Sequence, residues 1–310
     1  MKPRHFLLIA PIFIAIAILN GLLTSASSDD QMRALTVDGA ERTYALHIPK
    51  GFDSSKPAPL LIALHGRLGT GEGEEKLAHF HKVSDEHGFL VVYPDGLQRS
   101  WADGRGATPS DQKNVDDVKF ISALIDNLSA KYKIDPARIY AAGMSNGGFM
   151  AGRLACDLSD RISAVAIVGA SLPTEVAASC HPAKSVSVMI VQGTDDPLVP
   201  IEGGALRRDG KGGTVLSHDD SIRKWLALDQ CATTPQKDAI PDSAGDGTSI
   251  RVETYAPCSG GSEVRSYVVV HGGHTWPGGQ QYLPAALIGE TTRNLNGSEV
   301  IWDFLAHHSR

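Results

Sequence analysis

Ile139-Tyr-Ala-Ala-Gly143-Met144-Ser145-Asn146-Gly147-Gly148-Phe-Met-Ala-Gly-Arg-Leu-Ala155 reads as a short apolar strand, a tight turn carrying one serine, and a helix. Gly143 and Gly147 flank Ser145 at the spacing of a nucleophile elbow. There, small neighbours permit a strained backbone that holds a hydroxyl clear of the end of a sheet strand. In a chain with 32 glycines the bare Gly-x-Ser-x-Gly pattern is a weak signal. The strand before it and the helix after it give it weight.

Outward from this stretch, strands and helices alternate. Leu60 to His65 and Phe89 to Tyr93 are continuous apolar runs of the kind found in strands buried on both faces. Ala164 to Val168, Val186 to Gln192 and Ser266 to His271 complete the series, and a helix is expected around Glu74 to His87. Val118 to Tyr132 is an amphipathic helix, with Asp116 and Asp117 read as helix-start acids favoured by the dipole. Asp220 to Leu228 has helical spacing, and Ser298 to Leu305 reads as a closing helix capped by Ser298. Arg33 to Val37 and Arg42 to Ile48, joined at Asp38-Gly39, predict a hairpin. Together these predict an α/β fold: a mostly parallel twisted sheet with helices on both faces and an antiparallel N-terminal edge. Residues 202–217 and 233–249 read as surface excursions, and 97–113 as a polar loop with Trp101 as an exposed aromatic.

The start of the chain carries an address. A basic Met1-Lys-Pro-Arg4, an apolar run from Phe6 to Leu19 and small residues at Thr24 and Ala26 fit a signal peptide over 1–26. An uncleaved anchor is the alternative. One catalytic domain over 27–310 and a secreted or periplasmic location follow. Loss of Lys2 and Arg4 would take the formal charge from -6 to -8. An acidic protein without a basic cluster excludes nucleic acid as a partner, and nothing beyond the leader predicts a stable membrane partner.

Cys156, Cys180, Cys231 and Cys258 lie in this secreted context without Cys-x-x-Cys spacing, so two disulfides are expected. Three connectivities are possible. Cys156 with Cys180 and Cys231 with Cys258 is favoured, because both close modest loops of similar length; each bridge would stabilise by ~3 kcal/mol. Neither His-Glu-x-x-His nor clustered cysteines appear, so no metal and no cofactor is expected.

A serine hydroxyl needs a base, and the base needs an orienting acid. In an elbow fold these follow on later loops, acid before histidine. Val188-Met-Ile-Val-Gln-Gly193 leads into Thr194-Asp195-Asp196-Pro197-Leu198-Val199-Pro200, whose spacing selects Asp196 over Asp195. The last strand leads into Gly272-Gly273-His274-Thr275-Trp276-Pro277-Gly278, where His274 is free to swing and His271 is still on the strand. Oxyanion donors are expected from the backbone N–H of Asn146, after the nucleophile, and of Arg67 or Leu68, after the first buried strand. His65 reads as a loop-shaping residue. Trp101 and Trp276 are placed beside the substrate; for Trp276, packing of the histidine loop is an equal reading.

His65-Gly66, Tyr93-Pro-Asp-Gly96, Val115-Asp-Asp-Val118, Gly143-Met-Ser-Asn-Gly147, Gly193-Thr-Asp-Asp-Pro197 and Gly273-His-Thr-Trp-Pro-Gly278 together resemble one esterase family. It includes polyhydroxybutyrate depolymerases and feruloyl and acetylxylan esterases. The resemblance spans nearly the whole chain after the leader and implies an α/β-hydrolase fold with Ser145, Asp196 and His274 as triad. It also implies a small-molecule or oligomeric ester substrate, feruloyl or other polysaccharide-linked esters or short hydroxyalkanoate esters. Polymer-degrading relatives carry a linker and a separate binding domain that this sequence does not show, which argues against attack on solid polyester. A peptidase or acyltransferase on the same fold, or a non-catalytic envelope binding protein, are the rival readings.

Overall fold

A computed structural model describes residues 31–310, so the expected signal peptide lies outside the described residues. The hairpin forms as its turn chemistry demands. β1 (Gln31–Val37) and β2 (Ala40–His47) pair up to Val37 opposite Ala40. Asp38 and Gly39 between them both take positive φ, as a two-residue primed turn requires.

The remaining strands are β3 (Ala58–Leu64), β4 (Leu90–Pro94), β5 (Ile134–Met144), β6 (Ala164–Val168), β7 (Ser187–Gly193), a two-residue pair β8 (Gly204–Ala205) and β9 (Thr214–Val215), β10 (Gln236–Ile240), β11 (Ser249–Tyr255) and β12 (Val264–Val270). Ten of them form one sheet in the order β1-β2-β4-β3-β5-β6-β7-β12-β11-β10. The centre from β4 to β12 is parallel. Both edges are antiparallel: β1 and β2 on one side, β11 and β10 on the other. The second antiparallel edge corrects the reading of 233–249 as an excursion. β10 is polar and almost wholly exposed, so its sequence lacks the apolar signature of a buried strand.

The helices are α1 (Gly71–Ala78), α2 (Phe80–His87), α3 (Pro109–Gln112), α4 (Asp117–Lys131), α5 (Asn146–Asp157), α6 (Thr174–Ser179), α7 (His218–Leu228), α8 (Ala285–Ile288) and α9 (Gly297–Ala306). Where one helix was expected over 74–87 there are two, broken at His79 in the left-handed region. Successive residues of the central strands feed opposite cores. Leu60, Ile62 and Leu64 join Phe120, Leu124, Leu154 and Trp225 on the face of α4, α5 and α7. Leu61, Ala63, Val91 and Tyr93 join Phe80, Trp302 and Phe304 on the face of α1, α2 and α9. This two-sided burial is why β3 and β4 read as unbroken apolar runs. Among the described residues no helix is long and apolar enough to cross a membrane.

α9 is capped by Asn296, which accepts from the N–H groups of Ser298 and Glu299, and not by Ser298. The Ser298 hydroxyl is buried instead, bonded to Ala78 O and to Trp276 Nε1. Cys156 is bonded to Cys180 and Cys231 to Cys258; the first bridge ties the end of α5 to the end of α6.

Candidate active site

β5 ends at Met144 and α5 starts at Asn146, so Ser145 alone makes the turn, at φ 56 and ψ -119. A non-glycine residue there costs about 1–3 kcal/mol, which neighbouring contacts must offset. Its N–H donates to Val168 O of β6 and its carbonyl accepts from Phe149 N. The flanking glycines are steric necessities. A Cβ on Gly147 would lie 2.0 Å from Leu64 O, and one on Gly143 2.5 Å from the Gly147 backbone. Strand β3 and the first turn of α5 approach too closely for any side chain.

The expected acid and base meet. His274 Nδ1 lies 2.7 Å from Asp196 Oδ2, with both side chains almost fully buried. A carboxylate can only accept, so Nδ1 carries the hydrogen and Nε2 is left as the acceptor. The other Asp196 oxygen accepts from Leu198 N and Val199 N, each at 2.8 Å, which fixes the carboxylate in the loop after β7. Asp195 and His271, the rivals for the two roles, form a separate exposed pair at 3.5 Å. His274 is held by its own backbone: its N–H reaches Ile288 O at 2.5 Å, and its carbonyl accepts from the Tyr282 hydroxyl at 2.8 Å.

Gly169, directly after β6, lies between the pair and the elbow. A Cβ there would stand 3.3 Å from the His274 ring, and the preceding residue, Val168, accepts from Ser145 N. Ser145 and His274 are thus brought to the same end of β6, with no direct hydrogen bond between them in this structure.

The loop after β3 packs against the elbow, since a Cβ on Gly66 would be 3.6 Å from that of Ser145. Leu68 N donates to Arg99 O and is therefore spent. Among the described residues the N–H groups of Arg67 and Asn146 have no protein acceptor. His65 shapes the loop as expected. Its Nδ1 contacts Gly66 O at 2.7 Å and its Nε2 accepts from Gly96 N at 3.0 Å, the neutral tautomer that burial favours by pushing its pKa down.

Trp101 is not the exposed aromatic expected, and Trp276 is buried, as its packing reading has it. Trp101 is 0 % and Trp276 1 % exposed. Trp101 lies behind the loop after β3, its ring 4.9 Å from that of His65 and its Nε1–H donated to His65 O. Trp276 packs edge-on against Phe80. An indole this large buries more apolar surface inside than at a rim.

A buried polar network escaped the sequence reading. The Asn146 side chain accepts from Trp101 N at 2.7 Å and donates to Trp101 O and to Asp103 Oδ2 at 3.1 and 2.6 Å. Asp103 also pairs with Arg105, which stacks over Phe149 of α5 at 4.0 Å. Asp116 is the cap of α4, but Asp117 is more than a helix-start acid. It is buried, paired with Arg42 at 2.6 Å and bonded to Ala102 N. Burial raises the pKa of both Asp103 and Asp117 against the lowering effect of their arginines. Segment 97–113 is therefore a packed support for the elbow. Residues 204–205 and 214–215 form a small hairpin on β-bridge terms with Pro173.

Two hollows of about 500 and 600 Å³ exist elsewhere, one beside Phe52, Tyr140 and Trp302, the other beside Ile222, Arg251 and Tyr255. Neither is lined by a residue of the elbow, the acid loop or the base loop. Geometry therefore outweighs volume in locating the site.

The comparisons agree with the fold. Residues 42–222 match the family model described as "Esterase PHB depolymerase". The protein named "Putative esterase NocK" of Nocardia uniformis subsp. tsuyamanensis is 31 % identical over 289 residues, covering 90 % of this chain and 83 % of its own. Feruloyl esterase B of Piromyces equi is 30 % identical, covering 75 % of this chain but 42 % of its own length. Feruloyl esterase C of Emericella nidulans is 28 % identical, with 75 % and 76 % covered. The solved acetyl xylan esterase from Aspergillus awamori superposes with a TM-score of 0.56 at 14 % identity over 79 % of this chain and 94 % of its own. That likeness carries the fold. The chain is an ester hydrolase with the α/β-hydrolase fold and belongs to the esterase PHB depolymerase family.

Proposed function

We propose that this esterase is a secreted serine hydrolase of carboxylic esters, with Ser145 as nucleophile, His274 as general base and Asp196 as the group that orients it. The supporting observation is the buried 2.7 Å Asp196–His274 pair beside Gly169, at the strand end where Ser145 makes its strained turn. Ser145 Oγ attacks the ester carbonyl carbon while its proton passes to His274 Nε2. The carbonyl oxygen becomes an oxyanion facing the N–H groups of Arg67 and Asn146, each such donor worth roughly 3 kcal/mol in the transition state. Collapse breaks the carbon–alkoxy bond as His274 returns the proton to the leaving oxygen. Water, deprotonated by the same histidine, then releases the acid and restores Ser145.

One catalytic domain over 27–310 after a leader of 26 residues, and export to an oxidising compartment, accord with the two disulfides. Feruloyl and acetylxylan relatives make polysaccharide-linked esters the first substrates to try, with short hydroxyalkanoate esters beside them. The test is fluorophosphonate labelling of the purified protein. It should be stoichiometric, with ester turnover, and both should vanish in Ser145→Ala; turnover that survives this change sinks the reading. The kcat/KM ratio for methyl ferulate over a hydroxybutyrate trimer then sorts the two substrate groups.

A further inference from the structure

Six large apolar side chains stand exposed on the described surface, and five of them are on segments that carry or touch the site. Leu68 follows Arg67. Leu198 follows Asp196 by two residues and donates its N–H to that carboxylate. Tyr282, Leu283 and Leu287 lie on the strap of residues 280–291 that wraps the histidine loop. The strap is bound to that loop by Gly273 N to Glu290 O, His274 N to Ile288 O and the Tyr282 hydroxyl to His274 O. Gln281 braces it internally, donating to Leu283 O and Gly289 O and accepting from Thr291 N. Tyr282 is 42 % exposed although its hydroxyl is engaged.

The reaction gives these positions a direction. With the oxyanion turned to Arg67 and Asn146, the leaving oxygen must face His274, because His274 protonates it. The alcohol part of the ester is therefore carried to the side of His274, where the strap and Leu198 stand, and the acyl part leaves by the remaining direction. We propose that Tyr282, Leu283 and Leu287, with Leu198, form the alcohol-side subsite and favour esters whose alcohol turns an apolar face to them, an aryl or alkyl group or the ring face of a sugar. This rests on the assignment of Ser145, His274 and Asp196 made above. The strap residues are specificity determinants; Tyr282 is in addition a positioning residue for His274 through its hydroxyl. The exposed carboxylates of Asp195 and Glu290 on the same two loops oppose an anionic alcohol.

The experiment compares kcat/KM for benzyl acetate and methyl acetate, which share an acyl group and have leaving alcohols of similar acidity. The wild-type protein should favour benzyl acetate about tenfold. In Leu283→Ser/Leu287→Ser the ratio should fall about fivefold, through KM for benzyl acetate, as expected for losing part of two apolar contacts. Tyr282→Phe keeps the ring and should keep the ratio while lowering kcat on both esters; Tyr282→Ala should lose both. A wild-type ratio near one, or a ratio unchanged in the double variant and in Tyr282→Ala, overturns the subsite. Acetate turnover that survives Ser145→Ala would overturn the catalytic assignment instead, so the two failures are separable.

Discussion

Asn146 Nδ2 lies 2.6 Å from Asp103 Oδ2, so the residue after Ser145 is clamped by its side chain to the loop in front of the elbow. Its backbone N–H is one of the two oxyanion donors proposed here, and the clamp sets where that N–H points. Asn146→Ala is expected to lower kcat by about tenfold to a hundredfold with little change in KM, the pattern of a donor aligned for the transition state alone. Asn146→Asp sets a second carboxylate against Asp103 and should lower Tm as well. Steady-state kinetics with a melting curve for each variant check both.

The acid assignment is tested by neighbours. Asp196→Asn should reduce kcat by about 10⁴, because the amide offers its N–H₂ or its oxygen to a position that needs an ionised acceptor. Asp195→Asn, on the exposed partner of His271, should stay within about twofold of wild type. Equal losses in the two variants would contradict the assignment.

The elbow admits no side chain at Gly147. Gly147→Ala places a Cβ 2.0 Å from Leu64 O, and the resulting strain should remove more than about 3 kcal/mol of stability. Gly66→Ala meets nothing closer than 3.5 Å and should fold normally. Denaturant unfolding of the two variants gives the contrast.

Glu74 of α1 is fully buried, its Oε1 has no hydrogen-bond partner among the described residues, and burial pushes its pKa up to about 8. The folded state therefore holds a proton that the unfolded chain releases from about pH 4.5 upward. Stability should fall as pH rises from about 4.5 to about 8 and level off above that. The loss would reach roughly 3 kcal/mol at pH 7. Glu74→Gln should remove this slope and be the more stable protein at neutral pH. Unfolding free energies at pH 5, 7 and 8.5 would show it; parallel curves for the two proteins refute it.

Trp276 is buried against Phe80, so Trp276→Phe should cost stability by about 1–3 kcal/mol and leave the ferulate-to-hydroxybutyrate preference unchanged. A shift in that preference would return Trp276 to the substrate.

The central strands were readable because burial on both faces leaves an unbroken apolar run, as at Leu60 to Leu64. The strand β10 was not, because an exposed edge strand such as Gln236–Ile240 is polar on every face and is held only by its ladder to β11. The closing helix was readable, but its cap was assigned to Ser298. Asn296 and Ser298 are both good caps by type, and Ser298 is drawn away by Trp276 and Ala78 from another part of the chain.

The amino-acid sequence by itself determined the elbow, the hairpin turn and the order of serine, acid and histidine. Each is written in adjacent residues whose φ and ψ preferences act locally: glycine beside Ser145, Asp38-Gly39 in the turn, prolines after Asp196 and Trp276. Only the tertiary structure decided that Trp101 and Trp276 are inside and Tyr282 is exposed, and that Asn146, Asp103, Asp117 and Arg42 share one buried support. Burial and long-range pairing depend on which distant segments come to lie against a side chain, and residue type alone carries no record of that.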